Sequence, residues 1–273
     1  MPDTTPPQAH TQPKTVAAPQ PEDGWRPDLD VLRAQLDSLD DKIHDLLMQR
    51  ALVIENVARS GKPAAFRPGR EASILRRLSR RHTGKLPART LVRMWRELLA
   101  GTTAMQTAVT VAVADPENTG MMTAMAREHF GFLTPAVMHG SIEAALNAVR
   151  AGTATIAVLP FPTEAVAWWR ALTNAEPRLY IIARLPFWAD RPANVATADA
   201  LVVGTAAPDA SGADRSFIET TERARLADAG LTPRAFHGNV AEIDGMVALD
   251  DPRLPAEAVV LGGYAIPVAG EHA

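Results

Sequence analysis

The stretch Leu32–Arg50, LRAQLDSLDDKIHDLLMQR, decides how the N-terminal part of this chain folds. Its leucines and isoleucine recur three, four or seven positions apart and the stripe continues to Val57, which predicts an amphipathic helix. Pro27 and Asp28 supply a start signal, because proline fits the first turn and aspartate can cap it. No helix breaker occurs before SGKP at Ser60–Pro63. We therefore predict one helix of about 30 residues, or about 45 Å.

Two shorter helices follow this long one. Pro68 opens the second, and HTG at His82–Gly84 ends it with glycine in the C-terminal position. Pro87 opens the third, whose apolar residues keep the helical period to about Gln106. The long helix cannot bury its stripe alone, and three such helices in about 80 residues make a poor globule. Two intertwined copies of the chain are the predicted completion.

Composition limits the classes of function. The chain has 273 residues, of which 47% are hydrophobic, so it can fill several cores. A net charge of -3 gives no overall attraction to nucleic acid or to an anionic membrane. Because cysteine is absent, a disulfide framework and a thiolate metal site are excluded. We predict no metal, no nucleic-acid partner and no membrane partner.

The first residues suggest a location. Residues 1–27 are rich in proline, threonine and glutamine and have little to bury, which predicts a disordered tail. They lack the basic start and apolar middle of a signal peptide, and no apolar run of the chain reaches the ~20 residues that span a bilayer. We therefore expect a cytoplasmic protein.

The segment Phe66–Leu78, FRPGREASILRRL, concentrates arginine on one helix. It is either a solvated face or a site for something anionic. Single arginines on a helix usually face solvent or form ion pairs between subunits, so most of the arginines of the second and third helices are left outside the predicted site. That group consists of Arg76, Arg77, Arg80, Arg81, Arg89 and Arg96. Binding of nucleic-acid phosphates is a weaker alternative, because interleaved aromatic residues and a glycine-rich loop are missing.

Three segments carry a resemblance to a known family: Leu32–Arg50, Phe66–Leu78 and RMWRELLAGTTAMQ at Arg93–Gln106. Together they resemble the all-helical class of chorismate mutase. The resemblance covers about residues 29–106 and assigns residues 28–107 to a helical mutase domain. It implies an intertwined homodimer whose active sites are shared between chains. It implies that Arg33 reaches into the partner's site and that Arg50 pairs a substrate carboxylate in its own subunit.

The same resemblance implies the remaining site residues. Arg70 and Glu71 resemble the family's Arg-Glu pair at the start of the second helix, with Glu71 near the substrate hydroxyl. Gln106 stands where the family has the glutamine that contacts the ether oxygen.

Three further positions depart from the family pattern. An ungapped count places the family's catalytic lysine at Gly61, so we assign it to Lys62, with Arg59 as the alternative. Thr102 stands where the family often has serine, and Arg67 stands where it often has an acidic residue. Both are counted as substrate-binding.

The implied reaction converts chorismate to prephenate by an intramolecular [3,3] rearrangement that needs no metal or cofactor. Arginine suits it because its planar fork pairs carboxylates, while lysine and glutamine can stabilise charge on the ether oxygen. Arg33 and Arg50 lie 17 positions apart. They are therefore about 100° out of phase on one helix and cannot easily serve one pocket in one chain, whereas in an antiparallel dimer Arg33 of one chain can meet Arg50 of the other.

After Gln106 the pattern changes to alternating strands and helices, including a helix predicted at Thr163–Asn174. Gly140–Phe161 resembles the substrate-cleft region of prephenate dehydratase. That family has a Glu-Asn-Ser/Thr segment where Pro160 here leads into FPTEA, and its Thr-Arg-Phe triplet occurs nowhere in this chain. The nearest string is DRSF at Asp214–Phe217. We predict an α/β dehydratase-like domain at residues 108–198 that has lost the activity.

Residues 199–273 contain five predicted strands and the short helix ERARLADAG. They fit either a small α+β module like the regulatory amino-acid-binding module of such proteins, or strands that complete the preceding domain. Three functions follow. The first is a chorismate mutase of aromatic amino acid biosynthesis with a structural or regulatory C-terminal region. The others are a bifunctional chorismate mutase/prephenate dehydratase and a non-enzymatic sensor of aromatic ligands.

Overall fold

The computed structural model describes residues 28–59, 66–163, 166–191 and 198–268. The tail predicted for residues 1–27 lies outside these ranges. The chain divides into two units, residues 1–52 and 53–273. No helix within the described ranges is both long enough and apolar enough to span a membrane.

The long first helix is confirmed. Helix α1 runs Leu29–Arg59, 31 residues, and none of them is buried. Its apolar stripe is exposed, with Leu36 and Leu39 more than half accessible to solvent and Ile43 nearly so. A stripe of this length left in water is typical of a helix that packs against a further helix.

The second and third helices are also confirmed. Helix α2 runs Pro68–Arg81 and helix α3 runs Ala88–Ala104. They bury one apolar face together with the segments around Phe187 and Ala265. The buried residues of this core are Ala72, Leu75, Val92, Leu99, Phe187, Ala265 and Val268. The last three belong to the α/β region, so the two helices share a core with it.

Strands and helices alternate after α3. The elements are β1 (Val111–Ala114), α4 (Met121–Phe130), β2 (Ala136–His139), α5 (Ile142–Arg150), β3 (Ile156–Pro160), β4 (Tyr180–Leu185), β5 (Ala200–Gly204), β6 (Asp214–Glu219), α6 (Arg223–Asp228), β7 (Pro233–His237), β8 (Val240–Asp244) and β9 (Val259–Ala265). The sequence analysis missed β2, whose Val137 and Met138 are exposed at the edge of the sheet. The helix predicted at Thr163–Asn174 is wrong over the described part, where only the 3-10 helix Trp168–Leu172 forms.

The strands of the described ranges form one mixed sheet in the order β2-β1-β3-β5-β4-β9-β6-β8-β7. Strand β1 is parallel to β2 and β3, and β5 is antiparallel to β3 and β4. Alternate residues of β1 and β3 face two separate cores, one containing α4 and the other containing α5. Burial on both faces explains the continuous apolar runs of these strands.

The two halves of the sheet, β2-β1-β3-β5-β4 and β9-β6-β8-β7, are joined where β4 pairs with β9, at Ile181 and Gly262. Gly262 has φ +134°, and an added Cβ would lie 2.2 Å from the Ile181 carbonyl oxygen. Only glycine fits this junction. The domain boundary at residues 198/199 remains a prediction. Strand β5 follows this boundary in the sequence, but in the sheet it lies between β3 and β4, which precede the boundary.

Candidate functional site

A buried ion pair joins α2 and α3, the helices that carry Arg70, Glu71 and Thr102 of the predicted site. Arg96 Nη1 on α3 donates to Glu71 Oε2 on α2 over 3.0 Å, and the two side chains are only 5% and 12% exposed. The Arg96 guanidinium also lies 4.8 Å from the centre of the Phe187 ring. The expectation that Arg96 would be a solvated or intersubunit arginine is wrong, because its position on α3 faces the core.

Burial shifts both partners of this pair toward their neutral forms. It raises the pKa of Glu71, and Arg96 only partly opposes that effect. Burial lowers the pKa of Arg96 to about 10, which Glu71 likewise opposes. Arg96 therefore stays charged at neutral pH. A carboxyl group that is both desolvated and paired is typical of functional sites.

A carboxylate from the α/β region caps the N-terminus of α2. Asp209 Oδ1 accepts from the Gly69 backbone N–H over 2.9 Å, and Oδ2 accepts from the Arg70 N–H over 3.1 Å. Arg67 Nε lies 3.3 Å from the same Oδ2. The helix start has no cap from its own N-cap side chain. Asp209 thus satisfies two unpaired amides at the positive end of the helix dipole.

The close approach of Asp209 depends on Gly69. A Cβ at that position would lie 2.1 Å from the Asp209 carbonyl oxygen. Two further contacts hold α2 to the same loop: Ser73 Oγ donates to the Ser211 carbonyl, and Arg76 donates to Ser211 Oγ. Arg76 also donates to two carbonyl oxygens of the α/β region, so the expectation that it faces water or a partner chain is wrong. Among the predicted site residues, Arg67 contacts Asp209 through its side chain and Arg70 contacts it through its backbone N–H. The Arg70 side chain is exposed.

Thr102 and Gln106 lie at the C-terminal end of α3. Thr102 is buried and its hydroxyl donates to the Leu98 carbonyl over 2.8 Å and to the Leu99 carbonyl over 3.1 Å. Gln106 Nε2 donates to the Thr102 carbonyl over 3.1 Å. The spacing of four residues therefore places the two on neighbouring turns, as the sequence implied.

A cavity of about 490 Å³ adjoins Glu71 and the second half of α3. Its walls are mainly apolar, with Phe66, Phe130 and Leu133 among them, and Glu97 and His129 add polar groups. Thr102 and Gln106 are not among the described residues that line it. Within the described ranges, no three His, Asp or Glu side chains are grouped to hold a metal ion.

The residues predicted on α1 belong mainly to the first unit. Arg33 is exposed and pairs with Asp30 over 3.0 Å, and Arg50 is partly buried. Lys62 lies outside the described residues. Its alternative, Arg59, is exposed and pairs with Glu55 over 3.6 Å.

Sequence reasoning missed Arg96 and Asp209. Arg96 was within reach, because it follows Val92 by four positions and precedes Leu99 by three, and both of these are buried. The apolar stripe of α3 thus runs through it. Asp209 offered no such signal, since it lies 140 residues from Gly69 along the chain.

Residues 32–107 match the family model described as chorismate mutase type II. These residues form a chorismate mutase type II domain. The two helices joined by Glu71 and Arg96 are therefore the second and third helices of that domain, and the resemblance inferred from sequence is confirmed for this part of the chain.

Relatives extend the similarity beyond the mutase domain. The bifunctional chorismate mutase/prephenate dehydratase of Pseudomonas aeruginosa is 31% identical over 140 residues, which cover 48% of this chain and 38% of the relative. The protein of the same name from Stutzerimonas stutzeri is 32% identical with the same coverage. The chain thus spans well under half of the length of these relatives.

Solved structures give a weaker match. The prephenate dehydratase of Arthrobacter aurescens, in complex with L-Phe, is 15% identical and has a TM-score of 0.38. The match covers 57% of this chain and 90% of that one. Because its sequence identity and TM-score are both low, this match carries no argument about the α/β region.

Proposed function

We propose that this chain is a chorismate mutase that converts chorismate to prephenate without metal or cofactor, as a step of aromatic amino acid biosynthesis. The match of residues 32–107 to chorismate mutase type II carries the proposal. The expected cytoplasmic location stays a prediction. The reaction needs no nucleophile, so the protein has to hold the substrate in its compact conformer and stabilise charge on the ether oxygen.

The proposed roles follow the chemistry of each side chain. Arg50 and Arg70 pair the substrate carboxylates, and Arg33 is contributed by a second chain, while Lys62 and Gln106 stabilise the ether oxygen. Gln106 has to release the Thr102 carbonyl to do so. Glu71 accepts a hydrogen bond from the substrate hydroxyl, and Arg96 holds the Glu71 carboxylate in place over 3.0 Å.

A homodimer is part of this proposal. The exposed stripe of α1 supports it, because burial of a leucine or isoleucine side chain contributes about 1.5 to 3 kcal/mol. A second copy of the chain carries the same stripe, and two antiparallel copies bury both at once. Such a dimer brings Arg33 of one copy toward Arg50 of the other, and the 17-residue spacing of the two arginines supports this arrangement.

A second candidate is the bifunctional mutase and dehydratase. The name of the two relatives favours it, because their similarity to this chain extends beyond the mutase domain. The absence of a Thr-Arg-Phe triplet from the sequence counts against it. Any dehydratase activity would have to use other residues.

The deciding experiment supplies chorismate alone, with a chelator present, and follows both the loss of chorismate and the products. We expect prephenate to accumulate without phenylpyruvate. Phenylpyruvate formed from added prephenate would instead support the bifunctional enzyme. Chorismate that binds without being consumed would overturn the proposal in favour of a ligand sensor. Arg70→Ala should slow this reaction, and Arg77→Ala is its matched control, because Arg77 is an exposed arginine of the same helix.

A further inference from the structure

A second cavity, of about 440 Å³, lies between α3, α4 and the segment that follows β4. This volume is in the range of small-ligand pockets. Of the residues with a proposed role in the mutase site, Arg96, which positions Glu71, is the one among the described residues that also lines this cavity. Its lining combines an apolar wall with a group of arginines.

The apolar wall contains two aromatic side chains, Phe187 and Trp188. Val92, Met125 and Pro186 extend it. Phe187 is 5% exposed and already stacks against the Arg96 guanidinium. A wall of this kind favours a flat apolar ligand that removes ring surfaces from water.

The arginines come chiefly from one face of α3. Arg89, Arg93 and Arg96 follow one another at spacings of four and three residues, so their side chains share that face. Arg96 is paired with Glu71, but the side chains of Arg89 and Arg93 make no ion pair or hydrogen bond with any residue of the described ranges. Two cations thus adjoin the cavity without an anionic partner from the described chain.

The opposite side of the cavity does not neutralise them. Arg191 is paired with Glu128 over 2.6 Å, and its Nε is buried with no hydrogen-bond partner among the described residues. Asp190 is the other lining carboxylate and has a partner of its own. The described lining of the cavity therefore contains four guanidinium groups but two carboxylates. A buried N–H without an acceptor costs free energy that a bound acceptor recovers.

We propose that this cavity binds a small aromatic carboxylate, with its ring against Phe187 and Trp188 and its carboxylate between Arg89 and Arg93. The carboxylate is favoured because the planar guanidinium pairs it in a fixed geometry. The ring is favoured because a fully hydrophilic anion would leave the aromatic wall in water. The two residues proposed to bind the carboxylate, Arg89 and Arg93, have no role in the proposed mutase site, and the proposal does not depend on mutase activity.

The test uses the full chain and 3-phenylpropanoate as the probe, with binding measured by titration calorimetry at low ionic strength. The matched compounds are 3-phenylpropan-1-ol, which lacks the charge, and propanoate, which lacks the ring. We expect 3-phenylpropanoate to bind more tightly than either. Arg89→Gln and Arg93→Gln should each weaken it at least tenfold, since each removes a charge-assisted contact. Both arginines are exposed, so these variants should fold as the wild type does.

Two controls separate this site from others. Arg77→Gln removes an exposed arginine that does not line the cavity, and should bind the probe normally. Arg50→Ala alters the proposed mutase site and should also leave probe binding unchanged. Loss of binding in Arg50→Ala with normal binding in both cavity variants would overturn the proposal and place the probe in the mutase site. Equal binding of the neutral alcohol would overturn it as well.

Discussion

Arg96 Nη1 lies 3.0 Å from Glu71 Oε2, and this ion pair is almost completely shielded from water. The relationship links a residue predicted to contact substrate with one that the sequence analysis had left outside the site. A buried pair is costly to assemble, but removal of one partner is costlier, because the other charge is left unpaired in a medium of low dielectric constant.

Arg96→Met should therefore destabilise the fold by about 3 to 5 kcal/mol. Urea denaturation at neutral pH measures this change. The double variant Glu71→Gln/Arg96→Met removes both charges and should recover at least about half of the loss. A double variant no more stable than Arg96→Met would show that the arginine matters for its packing on Phe187 and not for the charge of Glu71.

The cap on α2 predicts an unusual effect of glycine substitution. Alanine normally stabilises a helix interior by up to about 1 kcal/mol relative to glycine. Gly69→Ala should instead destabilise, because its Cβ would lie 2.1 Å from the Asp209 carbonyl oxygen. Gly101→Ala on α3 is the control, since no atom lies within 4 Å of an added Cβ there, and it should be stabilising.

Asp209→Ala tests the same contact from the other side. It removes both hydrogen bonds to the start of α2 and the pair with Arg67, and should cost about 1 to 2 kcal/mol of unfolding free energy. Thermal and urea denaturation give the value. If Asp209→Ala unfolds at the wild-type urea concentration, the contact contributes nothing to stability.

Arg50→Ala should lower the catalytic efficiency with chorismate at least tenfold while the protein stays folded, because a charge-assisted hydrogen bond is lost. Steady-state kinetics of the wild type, of Arg50→Ala and of the control variant Arg77→Ala measure the effect. Turnover at the wild-type rate in Arg50→Ala would reject its assignment to the site.

Mixed dimers test whether sites are shared. If Arg33 of one chain serves the site that contains Arg50 of the other, a heterodimer of Arg33→Ala and Arg50→Ala has one site with both lesions and one intact site. Refolding an equal mixture should then restore about a quarter of the wild-type sites. Activity of the mixture no higher than the mean of the two parents would reject the sharing.

His129 predicts how stability depends on pH. Burial and the nearby Arg96 hold its pKa well below 6.5. The unfolded chain therefore binds a proton that the folded chain does not, and stability present above pH 6.5 is lost as the pH falls, by up to about 1.4 kcal/mol per pH unit. His129→Gln should lose less stability than the wild type between about pH 7.5 and about pH 5.5.

Glu71 acts in the opposite direction. Its raised pKa means that the folded chain takes up a proton before the unfolded chain does, so its contribution is present at low pH and is lost as the pH rises through the raised value. Glu71→Gln should therefore make the loss of stability on acidification steeper than in the wild type. Parallel pH profiles for wild type and both variants would contradict the two assignments.

The helical half of the fold could be predicted because its signals are local. The apolar period, Pro68 and Pro87 at helix starts, and glycine near the end of α2 determine three helices whose bounds agree with the structure. Arg96 could have been recognised on the same grounds, since it lies within the apolar stripe of α3. The helix predicted at Thr163–Asn174 failed because a run of apolar residues in the sequence does not distinguish a helix from irregular buried chain.

The sequence by itself determined the three helices, the alternation of strands and helices after them, and the polar residue types that a mutase needs. Only the tertiary structure decided that Asp209 caps α2, that Arg96 is buried against Glu71, and that β5 lies between β3 and β4. The physical reason is that helix formation depends on residues three or four apart. A helix cap, a buried ion pair and a strand order depend instead on which segments, far apart in the sequence, pack against one another and exclude water.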